Sequence, residues 1–382
     1  MPETILMRFL GIMAVVAVLA GCWGGSQELT SSGSEAEHPA LQTDRPPTKT
    51  ESASTNLSGT TARSRESHAR DLGDGAASED TKTPGTFGLD VKSDLDEATQ
   101  AAGNERIPGY KTPAEYVALN SRYVQDAVAV VTLPADYERN QNRSYPLVIA
   151  FGGAGECARP PRSGCLAWMH YYKIDESILA LESQRLTKAA FRGLVTEKEL
   201  SAFNRRLNNH PYRGIILVCP YSPLLTAAHN LENSDYENYI VHELIPALKA
   251  RYRVLEGSIG VDGVSMGGAR SMYLGLKYPN VFASIGSIQG AFGPYFGLYE
   301  GLIESSADTL RKRSIQLVTS DKDYLKGSVE RMHRLLTRHR IPHHYFLLTG
   351  PHDYIFNQGP GSLALLVFHN EALNKKPSGP VR

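Results

Sequence analysis

Apolar residues in this chain gather in short runs between about residue 127 and residue 373, each bounded by a turn signal. Ala127-Val128-Ala129-Val130-Val131-Thr132-Leu133 reads as a strand closed by Pro134. After a polar turn at Asn140 to Ser144, Pro146-Leu147-Val148-Ile149-Ala150-Phe151 is continuously apolar. Such a run fits a strand buried on both faces. It leads straight into Gly152-Gly153-Ala154-Gly155. Gly214 to Cys219, Ile259 to Val261, Ile315 to Thr319 and Tyr345 to Leu348 repeat the strand pattern.

Between these runs the apolar period becomes helical. Tyr236, Tyr239, Ile240, Leu244, Ala247 and Leu248 form one stripe, within which Pro246 predicts a kink or an early end. Val329, Met332 and Leu335 form a second stripe, and Leu363 to Leu373 a third. Strands alternating with helices predict an α/β domain: a mostly parallel central sheet with helices on both faces. The site of such a sheet is expected at the carboxyl edge of its strands. Residues 152–213 do not follow the alternation. They carry at least two helical patterns, one opening with Thr196-Glu197-Lys198-Glu199, a capping box. We expect a helical insertion forming a cap over the active-site edge; a plain pair of packing helices is the alternative.

The amino-terminal third has a different character. Arg8 precedes an apolar run from Phe9 to Leu19 that ends in Leu19-Ala20-Gly21-Cys22. Charge, short apolar stretch and small residues before a cleavage point make a secretory signal. The run is short of the roughly 20 residues that a membrane-spanning helix needs. Residues 1–22 resemble a bacterial lipoprotein signal, which implies lipidation of Cys22, membrane attachment through it, and an extracytoplasmic location. From 23 to 105 the chain is rich in Ser, Thr, Gly, Glu, Asp and Pro, and Val91 is its only β-branched aliphatic residue. Such a stretch cannot bury enough apolar surface to offset chain entropy and is expected to be a disordered tether. The folded domain is then expected over 106–376, with 377–382 a tail.

Composition adds mostly exclusions. Of 382 residues 41% are hydrophobic and 21% charged, ordinary for a globular protein. Lys plus Arg equals Asp plus Glu at 40 each, so no basic surface argues for a nucleic-acid partner. With Cys22 set aside, Cys157, Cys165 and Cys219 remain; Cys157 and Cys165 could close a small disulfide loop, or all three could stay free. Their spacing matches no zinc site. Gly152-Gly153-Ala154-Gly155 lacks the final spaced glycine of a dinucleotide fingerprint.

The chemistry gathers around Gly263-Val264-Ser265-Met266-Gly267, a G-x-S-x-G sequence between the strand Ile259 to Val261 and a helix-compatible run from Gly268 to Lys277. Strand, sharp turn and helix present the serine strained and exposed, and the glycines make room for the turn. A serine hydroxyl needs a base, and the base an orienting acid, in the chain order Ser, acid, His. Asp321 and Asp323 end the strand Ile315 to Thr319; Asp323 is preferred because the loop must reach beyond the sheet edge, with Asp321 the alternative. His343 and His344 precede the strand Tyr345 to Leu348, at the wrong edge. His352 follows it and is the expected base. Donors for an oxyanion are expected from the Met266 N–H and from Gly153 or Ala154.

From Ala127 to Leu373 the chain resembles the Putative esterase family, which includes feruloyl esterases, S-formylglutathione hydrolase and polyhydroxybutyrate depolymerases. The likeness rests on Tyr145-Pro146-Leu147-Val148, Glu243-Leu244-Ile245-Pro246, Tyr252-Arg253-Val254, Gly263 to Gly268 and His352-Asp353-Tyr354. It implies an α/β-hydrolase fold, no metal or other cofactor, and a Ser265–Asp323–His352 triad cleaving carboxylic esters through an acyl-enzyme. The chain departs from the family at Phe151, where a His is usual, at Ser320, where a Gly is common, and in the length of 152–213. The expected substrate is a small or polysaccharide-linked ester. An acyltransferase or peptidase with the same triad, and a non-catalytic surface binder, are the rival readings.

Overall fold

The computed structural model describes residues 105–226, 230–232 and 235–374. The signal with Cys22, the tether as far as residue 104 and the tail 377–382 lie outside the described residues. The strands are β1 (Glu105–Arg106), β2 (Ala114–Ala118), β3 (Val128–Thr132), β4 (Tyr145–Phe151), β5 (Ile216–Pro220), β6 (Val254–Gly263), β7 (Ser284–Ile288), β8 (Ser314–Lys322) and β9 (His344–Pro351). They form one sheet in the order β1-β2-β3-β5-β4-β6-β7-β8-β9. The pairs β1–β2, β2–β3 and β3–β5 are antiparallel, and every pair from β5 to β9 is parallel. The sheet is therefore mostly parallel, as the alternation predicts.

The continuous apolar runs are explained by burial on both faces. In β4, Leu147, Ile149 and Phe151 face one core, while Val148 and Ala150 face the other. The first core is closed by α4 (Ile245–Arg251), α5 (Met266–Lys277), α6 (Phe296–Leu310) and α7 (Lys326–Arg338). The second is closed by α2 (Ile174–Glu182), α3 (Glu197–Asn209) and α8 (Ser362–Leu373). Each fully buried Leu or Ile stabilises the fold by about 1.5–3 kcal/mol relative to exposure. Helix α8 is buried almost all round, because it lies between the sheet and the helices of the insertion.

That placement corrects the expectation of a cap. The two principal helices of 152–213, α2 and α3, pack against α8, which itself lies on the sheet. Their apolar stripes (Ile174, Ile178, Leu181; Phe203, Leu207) need a wall of apolar atoms, which the sheet face with α8 supplies. The capping box opens α3 as read, with the Thr196 hydroxyl accepting from the Glu199 N–H and the Glu199 carboxylate accepting from the Thr196 N–H. Pro246 does not break its helix. It stands in the first turn of α4, where a missing N–H costs nothing, and the stripe before it widens into a π turn at Tyr239–Leu244.

A disulfide between Cys157 and Cys165 is not present; both are free and buried, as is Cys219. The two thiols have separate partners. The Cys157 sulfur lies 3.1 Å from Ser222 Oγ, and Cys165 Sγ donates toward the Arg162 carbonyl at 3.5 Å. Burial pushes the Cys157 thiol up to about 11 and the Cys165 thiol up to about 12. Both should therefore be protonated and inert near neutral pH. We expect iodoacetamide to leave all three unmodified in the native protein and to alkylate all three in denaturant without any reductant. Mass spectrometry of their peptides reads the result.

Candidate active site

The sheet delivers the G-x-S-x-G segment to the carboxyl end of β6. Val264 continues β6 by a single bridge to Ile288, and the chain then reverses into α5. Ser265 takes φ 57° and ψ −116°, a strained conformation for a residue with a side chain. Its N–H donates to Ile288 O at 2.9 Å, and its carbonyl accepts from Ala269 and Ala291. The flanking glycines are steric necessities. A Cβ on Gly263 would stand 2.3 Å from Gly267 O, and one on Gly267 would stand 2.4 Å from Gly152 O.

The strands β8 and β9 bring the acid and the imidazole to the same rim. Asp323 Oδ1 lies 2.8 Å from His352 Nδ1 and accepts the Leu325 N–H at 2.8 Å, while Oδ2 accepts the Thr319 hydroxyl at 2.7 Å. The Asp323 side chain is fully buried and that of His352 is 10% exposed. A carboxylate can only accept, so Nδ1 carries the proton and Nε2 is left as the acceptor. Asp321 is exposed, and its Oδ1 accepts the Gly350 N–H at 2.8 Å instead. His343 and His344 are at the start of β9, where His343 is paired with His333 at 2.7 Å.

The glycine loop after β4 lies against the serine: a Cβ on Gly153 would be 3.8 Å from Ser265 Cβ. Of the two N–H groups expected to serve an oxyanion, that of Gly153 is already engaged, donating to the Tyr172 hydroxyl at 3.0 Å. This corrects the inclusion of Gly153 and leaves Ala154. Ala154 opens α1 (Ala154–Cys157) and Met266 opens α5, so each holds a first-turn N–H with no partner inside its helix. Among the described residues neither has an acceptor.

Two neighbours went unread in the sequence. Gln289 is fully buried at φ 49°, and its amide donates to Ser320 Oγ at 2.7 Å and to Pro351 O at 3.0 Å. It joins the end of β7 to the acid strand and to the histidine loop. Tyr324 follows Asp323 and is 74% exposed. Its ring centroid lies 4.4 Å from that of His352, and the Ser265 side chain is near its hydroxyl. Tyr324 thereby stands between solvent and the imidazole. Neither residue belongs to a motif, so only their surroundings reveal them.

Sheet order, strained serine elbow and Asp–His pair together define an α/β-hydrolase. Within that superfamily the model of the Putative esterase family matches residues 220–323 of the chain. A protein of Bacillus subtilis (strain 168), "Uncharacterized protein YbbA", is 33% identical over 154 residues, which are 40% of this chain and 57% of that protein. Among solved structures, a ferulic acid esterase has a TM-score of 0.52 at 14% identity, covering 69% of this chain and all of that one. An S-formylglutathione hydrolase from Staphylococcus aureus has a TM-score of 0.45 at 13% identity, over 69% of this chain and 99% of the other.

The close approach at the elbow gives a direct test. Gly267→Ala places a methyl between backbone carbonyls that cannot rotate away, an overpacking that costs about 1–3 kcal/mol or more. We expect a lower urea midpoint in chemical denaturation with an unchanged slope.

Proposed function

We propose that the chain is a serine carboxylic-ester hydrolase, with Ser265 as nucleophile, His352 as general base and Asp323 as its orienting acid. His352 Nε2 takes the hydroxyl proton as Ser265 Oγ bonds to the acyl carbon. The carbonyl oxygen becomes an oxyanion, held by the N–H groups of Ala154 and Met266. Collapse of the tetrahedral species breaks the ester C–O bond, and the leaving alkoxide receives the proton from His352. Water then attacks the acyl-enzyme by the same route, releasing the acid and restoring Ser265. Asp323 remains ionised throughout and holds the imidazole in one tautomer.

The observation that carries this reading is the 2.8 Å contact of Asp323 Oδ1 with His352 Nδ1 at the rim where Ser265 is held at positive φ. The ferulic acid esterase of similar fold makes aryl esters the first substrates to try. Attachment through Cys22, with residues 23–105 as a tether, belongs to the same proposal and would suit esters carried on polysaccharides outside the cell.

Three substitutions test the assignment on p-nitrophenyl acetate. Ser265→Ala should lower kcat by about 10⁴–10⁶ and abolish labelling by a fluorophosphonate. Asp323→Asn should lower kcat by about 10⁴, since the amide favours the wrong tautomer. Asp321→Asn should leave kcat within about threefold, as its exposed carboxylate only accepts the Gly350 N–H and does not meet the imidazole. Near wild-type turnover by the Ser265 variant would refute the proposal.

A further inference from the structure

The insertion contributes a buried acid that the triad does not use. Glu156, in α1, is 2% exposed. Its Oε2 accepts from the Tyr172 hydroxyl at 2.5 Å and its Oε1 from the Tyr354 hydroxyl at 2.6 Å. A carboxylate withdrawn from water persists only where donors and charge compensate it. Here the compensation comes from two phenols and from the nearby charge of Arg159, whose guanidinium lies 4.4 Å over the Tyr171 ring. Tyr171 and Tyr354 are themselves stacked, with centroids 6.0 Å apart.

The proton count fixes every direction in this network. A phenol has one proton to give. Burial, and then the Glu156 charge, hold the Tyr172 hydroxyl well above its ordinary value, so it stays protonated. Its proton goes to Glu156, and its oxygen is left to accept the Gly153 N–H at 3.0 Å. That bond sets the plane of the Gly152–Gly153 peptide, one before the peptide that carries the free Ala154 N–H. At the other end, Tyr354 lies two residues after His352, in the loop whose Asp353 caps the following turn by accepting the Phe356 N–H.

We infer that Glu156 is a positioning residue that ties the oxyanion loop to the histidine loop, through Tyr172 on one side and Tyr354 on the other. The inference rests on the hydrolase reading and deepens it. Glu156 and Tyr172 touch no reacting atom. They determine which backbone N–H of the glycine loop is free, and they hold the two loops at a fixed separation. One glutamate therefore serves both the oxyanion donor and the base.

The test uses Tyr172→Phe, which keeps the ring and loses the hydroxyl, and Glu156→Gln, which keeps the shape and only one good acceptor. Both are compared with wild type in the full chain, with kcat expressed per site titrated by a fluorophosphonate. Misplacing an oxyanion donor should cost a share of the roughly 10²–10³ that one donor is worth. We expect kcat per titrated site to fall about 10- to 10²-fold, KM to change less than about threefold, and affinity for an aryl boronic acid to fall with kcat. Glu156→Gln should also raise amide hydrogen exchange in peptides spanning 152–157 and 350–356 together. A purely structural role would reduce the number of titratable sites and leave kcat per site and boronate affinity alone. Unchanged values of both, with unchanged exchange in the two peptides, would overturn the inference while Ser265→Ala still upheld the hydrolase reading. A wild-type chain with no turnover and no labelling would sink that reading instead, and the paired exchange would decide the network alone.

Discussion

The molecule depends on one close approach of backbone to backbone. The strand β6 must turn into α5 within a few residues, and at that turn Gly267 passes so near the carbonyls of Phe151 and Gly152 that no side chain fits. The contact presses the nucleophile elbow against the glycine loop. It puts Ser265 beside Gly153 and Ala154 and holds it at positive φ. Strain of about 1–3 kcal/mol at such a residue persists only where surrounding structure over-determines it. The bonds of the Ser265 backbone to Ile288, Ala269 and Ala291 supply that constraint.

Beneath the elbow lies a polar interior that a sheet core rarely tolerates. Asp262 accepts the Gly263 N–H at 2.7 Å and the His369 Nε2 proton at 3.0 Å, and His369 Nδ1 lies 2.7 Å from Ser284 Oγ. All three side chains are buried. Burial raises the Asp262 carboxyl, and the His369 bond opposes that shift. This second Ser–His–Asp set has no access to solvent, so its place is structural: it ties α8 to β6 and β7 directly under the turn. Removing one partner of such a buried pair typically costs 3–5 kcal/mol, because the other is left uncompensated.

Three buried acids divide the labour. Asp262 secures the elbow from below, through the sheet, and Glu156 reaches the glycine loop from the insertion. Asp323 meets the His352 imidazole. The elements carrying these groups are far apart in sequence, yet each strand end needs only a short loop to reach the rim. The principal helices of the insertion pack on α8, while its first turn meets the histidine loop through Glu156, and the exposed Tyr324 lies against His352.

The sequence alone determined the strands β3, β4, β5, β8 and β9, since each contains a short apolar run bounded by turn signals. It also determined the elbow, because only glycine fits at 263 and 267, and it singled out Asp323 and His352 by their position after strand ends. It did not reveal β7, whose Ser284, Gly286 and Ser287 pack against Asp262, His369 and the Gly268 carbonyl, so that no apolar pattern survives. The expected tether and lipid signal lie outside the residues the structure describes. Tertiary structure alone decided that α2 and α3 face the sheet, since an amphipathic helix states that it needs a partner without naming one. It alone decided that the cysteines stay apart, and that Gly153 yields its N–H to Tyr172. A hydrogen bond between residues 19 positions apart, held by a glutamate between them, leaves no period or motif in a chain.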